Sequence, residues 1–333
     1  GNSINLTLDA NLNNAAYQAM AGRKGVVALY NYQTGEVLCM LSTPSFDPAD
    51  DAEVAKVAAG DSNYDGAYLN RFLSGTYTPG STFKLVTSAA ALETLHNENS
   101  FSYTCKGSLT LNGEKITCPS VHGTQDFATA LANSCNGAFA TLATQVGGKT
   151  LEKYAQEAGL TSKVNVNGLN SAAGNFTAGT SDNDVGWSGV GQYKDLVNPC
   201  AELTLMGCIA QGGSAATPRL LKSVTSSKGL PVAHVTTETS QIGWKTDTCD
   251  KIRTMMHNNV TSNYSKSLDF GGLNVCAKSG TAEVGASKPH AWFVGFLRNE
   301  DAPYAFAVLV ENGGGGSSVA GGVAASLLKA ACQ

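Results

Sequence analysis

The sequence predicts an α+β fold: an antiparallel five-stranded sheet formed by both chain ends, packed with helices, plus an inserted helical lobe. Three observations carry this. Short apolar strands separated by turn residues cluster near the two termini. Helix-like apolar periodicity fills the middle, and no internal repeat is visible.

The elements follow in order. "GVVALYN" (25–31), a Gln33-Thr34-Gly35 turn and "EVLCMLS" (36–42) read as a hairpin. "LNVCAKSG" (273–280), "HAWFVGFL" (290–297) and "YAFAVLVE" (304–311) read as three more strands. The last is apolar on both faces, the pattern of a central strand covered on two sides. "SSVAGGVAASLLKAAC" (317–332) closes as a helix. The Gly313–Gly316 run before it reads as a flexible loop; Ser318 spoils the GxGxxG spacing of a nucleotide cradle. Helices are predicted over 81–95, 126–146, 150–158, 199–211 and 248–260, with a polar loop over 161–191. One domain, 1–333, results, with sheet residues about 1–60 and 265–333 and a helical lobe about 61–264. A cleft between the two is the natural place for a ligand.

Of 333 residues, 42% are hydrophobic and 14% charged, enough apolar mass for a large core and too little charge for disorder. Net charge is −4 with mixed signs, which excludes the basic surface a nucleic acid needs. No run reaches the roughly 18–20 apolar residues that span a bilayer. A start at Gly1, without Met or a signal-like segment, is expected of a piece excised from a longer protein.

Nine cysteines show no CxxC or CxxH spacing, so no metal site is expected. Cys200 and Cys208 share one predicted helix, about 12 Å apart, too far for a disulfide. "CKGSLTLNGEKITC" (105–118) reads as two strands around Asn112-Gly113, a strong hairpin signal, with a disulfide between Cys105 and Cys118 expected at its base. Such a bond suits an oxidising, extracytoplasmic location. The other cysteines read as small buried hydrophobes. The five histidines (96, 122, 234, 257, 290) have no HExxH spacing; His122 reads as structural and His290 as packing.

"TPGSTFKLVTSAAALE" (78–93) places Ser81 and Lys84 one turn apart on the inner face of a helix. The bland alternative is capping, since Ser and Thr favour helix starts. A serine hydroxyl becomes a nucleophile when a neighbouring base takes its proton. A lysine amine can be that base once burial lowers its pKa. Two further stretches favour chemistry. "ANSCNGAFA" (132–140) holds Ser134 and Asn136 in SxN spacing, with Cys135 between. "AKSGTAEV" (277–284) holds Lys278, Ser279, Gly280 and Thr281 on a strand. SxxK, SxN and K[ST]G in this order are the motif set of penicillin-binding proteins and class A β-lactamases. "GWSGVG" (186–191) misses GxSxG, with Val190 at the last glycine position.

With these motifs the chain resembles the transpeptidase domain of a class B penicillin-binding protein, in the serine β-lactamase-like superfamily. "TLDANLNNAAYQAM", "GEVLCMLSTPSFDPAD", "LNRFLSGTYTPGSTFKLVTSAAALE", "NPCAELTLMGCIAQGGSAATPRLL" and "HAWFVGF" extend the likeness from about Thr7 to the last helix. The resemblance implies a peptidoglycan D,D-transpeptidase without a cofactor. Ser81 would attack a D-Ala-D-Ala stem peptide to form an acyl-enzyme, and Lys84 would take its proton. Ser134 would relay that proton to the departing D-alanine. Asn136 would bind Lys84 and the substrate amide. Lys278 would keep the site electropositive and Lys84 neutral. Ser279 and Thr281 would bind the substrate carboxylate. Gly280 would let the substrate backbone lie against the strand. The backbone N–H groups of Ser81 and Thr281 would form the oxyanion hole. Implied partners are the donor stem peptide, an acceptor amine, β-lactams as covalent inhibitors and a membrane-embedded glycosyltransferase. The implied location is the extracytoplasmic face of the bacterial membrane, anchored by an upstream segment absent from this sequence. A serine β-lactamase and a penicillin-sensing or scaffold domain are the alternatives. "NVNGLNSAAGNFTAGTSDNDVGW" offers no obvious loop carboxylate to activate water, which argues against the first.

Overall fold

The computed structural model describes residues 1–233 and 235–333; His234 lies outside the described residues. Five strands form the main sheet: β1 (Gly25–Asn31), β2 (Val37–Thr43), β3 (Val275–Val284), β4 (Ser287–Leu297) and β5 (Tyr304–Val310). Their order is β3-β4-β5-β1-β2, antiparallel throughout. Both chain ends thus meet in one sheet, as predicted, with β5 central.

Side-chain alternation along β5 explains its doubly apolar sequence. Ala305, Ala307 and Leu309 join the core shared with the helical lobe. Phe306, Val308 and Val310 join a second core on the opposite face. That face is covered by α1 (Ala10–Met20) and the C-terminal α8 (Gly321–Ala331), with Asp9 capping α1 through Asn11 N and Leu12 N.

In the lobe, α2 (Lys84–Thr94) is central; every residue from Lys84 to Leu92 is buried, which accounts for its alanine-rich sequence. The helix predicted over 126–146 is two helices, α3 (Phe127–Ala132) and α4 (Asn136–Val146), broken at Asn133–Cys135. Ser134 there has φ of +52°, a conformation no helix interior tolerates. The predicted loop over 161–191 contains α5 (Asp182–Gly189), N-capped by Ser181. Its glycines hid the periodicity: Gly186 and Gly189 let α5 close on Ile116 and Ala143. Next come α6 (Pro199–Ala210), started by Asn198 and Pro199, and α7 (Thr246–Ser262). Pairing of Ser3–Leu6 with Leu221–Thr225 in a small second sheet was not foreseen, because exposed strands of that length carry little pattern.

The Gly313–Gly316 run departs from the flexible-loop expectation. Gly316 is buried, and a Cβ there would lie 2.2 Å from Gly280 O. Gly316 is glycine because the chain crosses closely over β3 there, and the regular helix starts only at Gly321.

An ion pair ties the approach to Ser81 onto the sheet. Buried Arg71 donates to Glu311 Oε1 (2.8 Å), just beyond β5, and Tyr77 donates to the same oxygen (2.9 Å). Glu311→Ala leaves the guanidinium buried with the Gly66 carbonyl (2.8 Å) in place of a charge partner. It should destabilise the fold by about 3 kcal/mol in chemical denaturation; an effect within about 0.5 kcal/mol would show that the pair holds nothing.

Candidate active site

The nucleophile candidate lies in a tighter turn than predicted. Gly80–Phe83 is a 3₁₀ turn that runs into α2, and no side chain caps either piece. In a 3₁₀ turn, residues i and i+3 eclipse, which stacks Ser81 over Lys84. Ser81 Oγ accordingly lies 3.0 Å from Lys84 Nζ, so the capping alternative falls. Gly80 has φ of +54°, and a Cβ there would meet the Thr281 carbonyl at 2.8 Å, so glycine lets the turn dock against β3.

Lys84 Nζ touches four oxygens: Ser81 Oγ (3.0 Å), Ser134 O (2.7 Å), Ser134 Oγ (3.1 Å) and Asn136 Oδ1 (2.7 Å). Asn136 Nδ2 donates to Thr117 O (2.7 Å), which fixes Oδ1 toward the lysine. Two neighbours are therefore pure acceptors and two are hydroxyls. A neutral amine has two N–H bonds and one lone pair. Its N–H groups fit the Ser134 carbonyl and Asn136 Oδ1, leaving the lone pair for a hydroxyl proton. The left-handed Ser134 backbone lets both its carbonyl and its hydroxyl reach the lysine.

Complete burial brings the Lys84 pKa down from 10.5 to about 7. Burial is the chief cause, and nearby Cys135 and Cys118 push the other way; the Lys84–Lys278 repulsion, which acts on both amines, adds in the direction expected of Lys278. Lys278, also fully buried, donates to Ser134 Oγ (3.0 Å) and Ser279 O (2.8 Å). Burial first, then the charge of Lys84, lowers its pKa well below the usual value. Two amines sharing one hydroxyl hold a single proton charge far more readily than two.

The strand motif lines the opposite wall. Ser279 Oγ pairs with Tyr264 OH (3.0 Å), which also accepts from Ser279 N (3.0 Å). Thr281 Oγ1 accepts from Gly316 N (3.2 Å), which leaves its proton for the cleft. Gly280 has a packing reason beside the expected one. A Cβ there would lie 2.8 Å from Pro79 O and 3.0 Å from Thr82 Cγ2, so the glycine admits the nucleophile turn.

The motifs converge on a cleft of about 340 Å³ bounded by Ser81, Ser134, Asn136, Ser279 and Thr281, with Trp187 and Val190 of the unforeseen α5 region forming an apolar wall. Sequence reasoning also missed Tyr264 and Glu202. Glu202 Oε1 accepts from Thr82 Oγ1 (3.1 Å) behind the nucleophile, and burial raises its pKa to about 7. Neither sits in a short motif; each acts through the chain fold.

The expected Cys105–Cys118 disulfide is not formed. Both are free thiols, and Cys118 Sγ lies 3.8 Å from Cys135 Sγ instead. The hairpin itself is shorter than the cysteine spacing suggests, Ser108–Leu111 with Glu114–Thr117. Cys105 ends another strand, Tyr103–Cys105, paired with Gly123–Gln125. Cys39, Cys200, Cys208, Cys249 and Cys276 are buried as expected, whereas Cys332 is exposed. Contrary to the metal-free expectation from spacing, Cys105, Cys118, His122 and Cys135 bring their ligand atoms within 4.8 Å of one another.

Residues 25–330 match the family model described as the penicillin-binding protein transpeptidase domain. The chain belongs to that family, as a transpeptidase domain of the class B type. Its relatives include peptidoglycan D,D-transpeptidase PbpA of Mycolicibacterium smegmatis, 30% identical over 98% of this chain and 70% of that protein. Among solved structures, penicillin-binding protein A from M. tuberculosis in its ceftriaxone acyl-enzyme complex superposes with a TM-score of 0.89 at 27% identity, covering 100% of this chain and 80% of that one. The D,D-transpeptidase domain of a peptidoglycan glycosyltransferase from Eggerthella lenta gives 0.88 at 25% identity, over 99% and 83%.

Gly280→Ala should cost about 1–3 kcal/mol of stability, because the added methyl meets the backbone of the nucleophile turn. Denaturant titration beside Ser279→Ala checks this. Unchanged stability would leave Gly280 with the substrate-clearance role alone.

Proposed function

We propose that this domain is a serine-type peptidoglycan D,D-transpeptidase working through an acyl-enzyme on Ser81. The observation that carries the reading is the Lys84 amine, fully buried with a pKa near 7 and within 3.0 Å of the Ser81 hydroxyl. Family membership and the D,D-transpeptidase relatives support it.

The carboxylate of a D-Ala-D-Ala terminus docks on the hydroxyls of Ser279 and Thr281, and Lys278 supplies the positive field. Ser81 Oγ attacks the penultimate carbonyl as its proton passes to the Lys84 lone pair. The developing oxyanion is held by the backbone N–H groups of Ser81 and Thr281; one such donor is typically worth about 3–4 kcal/mol. Ser134, hydrogen-bonded to both lysines, carries the proton from Lys84 to the departing D-alanine nitrogen. Asn136 fixes Lys84 and presents its amide edge to the substrate. An acceptor stem-peptide amine then attacks the Ser81 ester, loses its proton to Lys84 and restores the hydroxyl. Water in place of the amine gives carboxypeptidase side activity. A β-lactam enters by the first half of this route, but its leaving nitrogen stays tethered, so the ester persists; the ceftriaxone acyl-enzyme of the mycobacterial neighbour supports this extension.

A β-lactamase needs a base aimed at the ester. Among the described cleft residues the carboxylate is Glu283, at the far end of β3. The proposed setting is the extracytoplasmic membrane face, beside a glycosyltransferase that makes the glycan strands; no helix among the described residues is long and apolar enough to cross a membrane.

Two measurements test this. The rate of Ser81 acylation by a fluorescent penicillin should fall about tenfold per pH unit below about 7 and level off above, because protonated Lys84 cannot accept the serine proton. A flat profile from pH 5 to 8 would remove Lys84 as the base. Release of D-alanine from a D-Ala-D-Ala peptide in the presence of an acceptor amine should cease in Ser81→Ala and persist, reduced about tenfold, in Thr281→Ala, whose oxyanion donor is main-chain. Stable penicillin labelling without D-alanine release would favour a sensor, and rapid return to the unmodified mass would favour a β-lactamase.

A further inference from the structure

Four metal-ligating side chains gather beside the cleft and take no part in the acyl-transfer scheme. Cys105 ends its strand, Cys118 follows the hairpin, His122 stands in the loop before Gly123–Gln125, and Cys135 is the middle residue of the SxN motif. Four ligand atoms within 4.8 Å of one another is the grouping of a tetrahedral centre. The Cys118–Cys135 sulfur separation of 3.8 Å is about the edge of a zinc–thiolate tetrahedron, given Zn–S bonds of about 2.3 Å. It is far beyond a disulfide bond length.

The surroundings suit thiolates. Gly137 N donates to Cys118 Sγ (3.3 Å) and Gly107 N to Cys105 Sγ (3.4 Å), the amide–sulfur bonds that steady coordinated thiolates. His122 Nδ1 is buried and has no hydrogen-bond partner, an orphan that a metal bond or a bridging group would satisfy.

We propose that Cys105, Cys118, His122 and Cys135 bind one Zn²⁺ in a closed Cys₃His site that holds the Ser134–Asn136 loop in its catalytic shape. Three thiolates and a neutral imidazole fill the tetrahedron, so the ion has no open position and acts structurally. Loading the site displaces the remaining thiol protons to solvent; nothing is oxidised or reduced. Cys135 links the two residues that grip Lys84, Asn136 and the left-handed Ser134. A metal bond at Cys135 fixes that link to the hairpin, where Thr117 O receives Asn136 Nδ2. Spacing hid the site because its ligands come from three separate segments, Cys118 and His122 sharing the loop before Gly123–Gln125.

The test uses the purified domain under reducing conditions, stripped of metal and reloaded with Zn²⁺ or Co²⁺. Elemental analysis should find about one zinc per chain. The Co²⁺ form should show thiolate-to-metal charge transfer and the intense visible bands of tetrahedral coordination. His122→Ala and Cys105→Ser, each sparing the SxN residues, should weaken zinc binding at least about tenfold. Removing zinc should slow penicillin acylation of Ser81 about tenfold or more, reversed on reloading. No retained zinc, an octahedral Co²⁺ spectrum, or a mass lower by two hydrogens with Cys118 joined to Cys135 would each overturn the site. Zinc retained with acylation indifferent to its removal would overturn the loop-holding role. A tetrahedral Co²⁺ spectrum in a protein whose Ser81 never labels would leave the metal site standing and defeat the transpeptidase reading.

Discussion

The Lys84 amine sits out of contact with water among two oxygens that can only accept and two hydroxyls that can give. Buried in this way, an ammonium loses the hydration that keeps an ordinary lysine charged, and its pKa falls from 10.5 to about 7. The cage then decides what the neutral amine does. With its two protons directed at the Ser134 carbonyl and Asn136 Oδ1, its lone pair turns to the serine hydroxyls. Without the burial, the same four distances would describe a structural ion cage and no base.

Much of the fold serves to keep that environment dry and shaped. The 3₁₀ turn stacks Ser81 on Lys84, and α2 carries the lysine into the core. Three close approaches allow this: Gly80 against Thr281, Gly280 against Pro79, and Gly191, where a Cβ would meet the Gly80 carbonyl at 2.1 Å. The indole of Trp292, fully buried in β4, donates to Thr78 O (3.0 Å), and Arg71 with Tyr77 anchors the preceding segment on Glu311. The segment leading into the nucleophile turn is thus fastened to the sheet, and the turn itself packs directly against the strand motif.

The sheet was legible because its strands are short apolar runs bounded by turn residues, and the doubly apolar β5 marked its centre. The three motifs were legible because Ser81–Lys84, Ser134–Asn136 and Lys278–Thr281 each act across a few residues. What stayed hidden was relational. Tyr264 holds Ser279 from another element, and Glu202 backs Thr82 from 120 positions away in sequence. The break at Ser134 could not be read from an alanine-rich run, and α5 was masked by glycines that exist for close packing. The cysteines misled because hairpin-base pairing is a local rule. The fold instead turns Cys105 and Cys118 toward His122, four residues beyond Cys118 in the same loop, and toward Cys135 from the SxN segment.

The protonation state of Lys84 at neutral pH is the central claim, and it can be observed without any substrate. In protein labelled with ¹³C at the lysine ε carbons, one resonance that disappears in Lys84→Ala should titrate near pH 7, more than three units below ordinary lysines. A Lys84 resonance still charged at pH 9 and titrating near 10.5 would contradict the account.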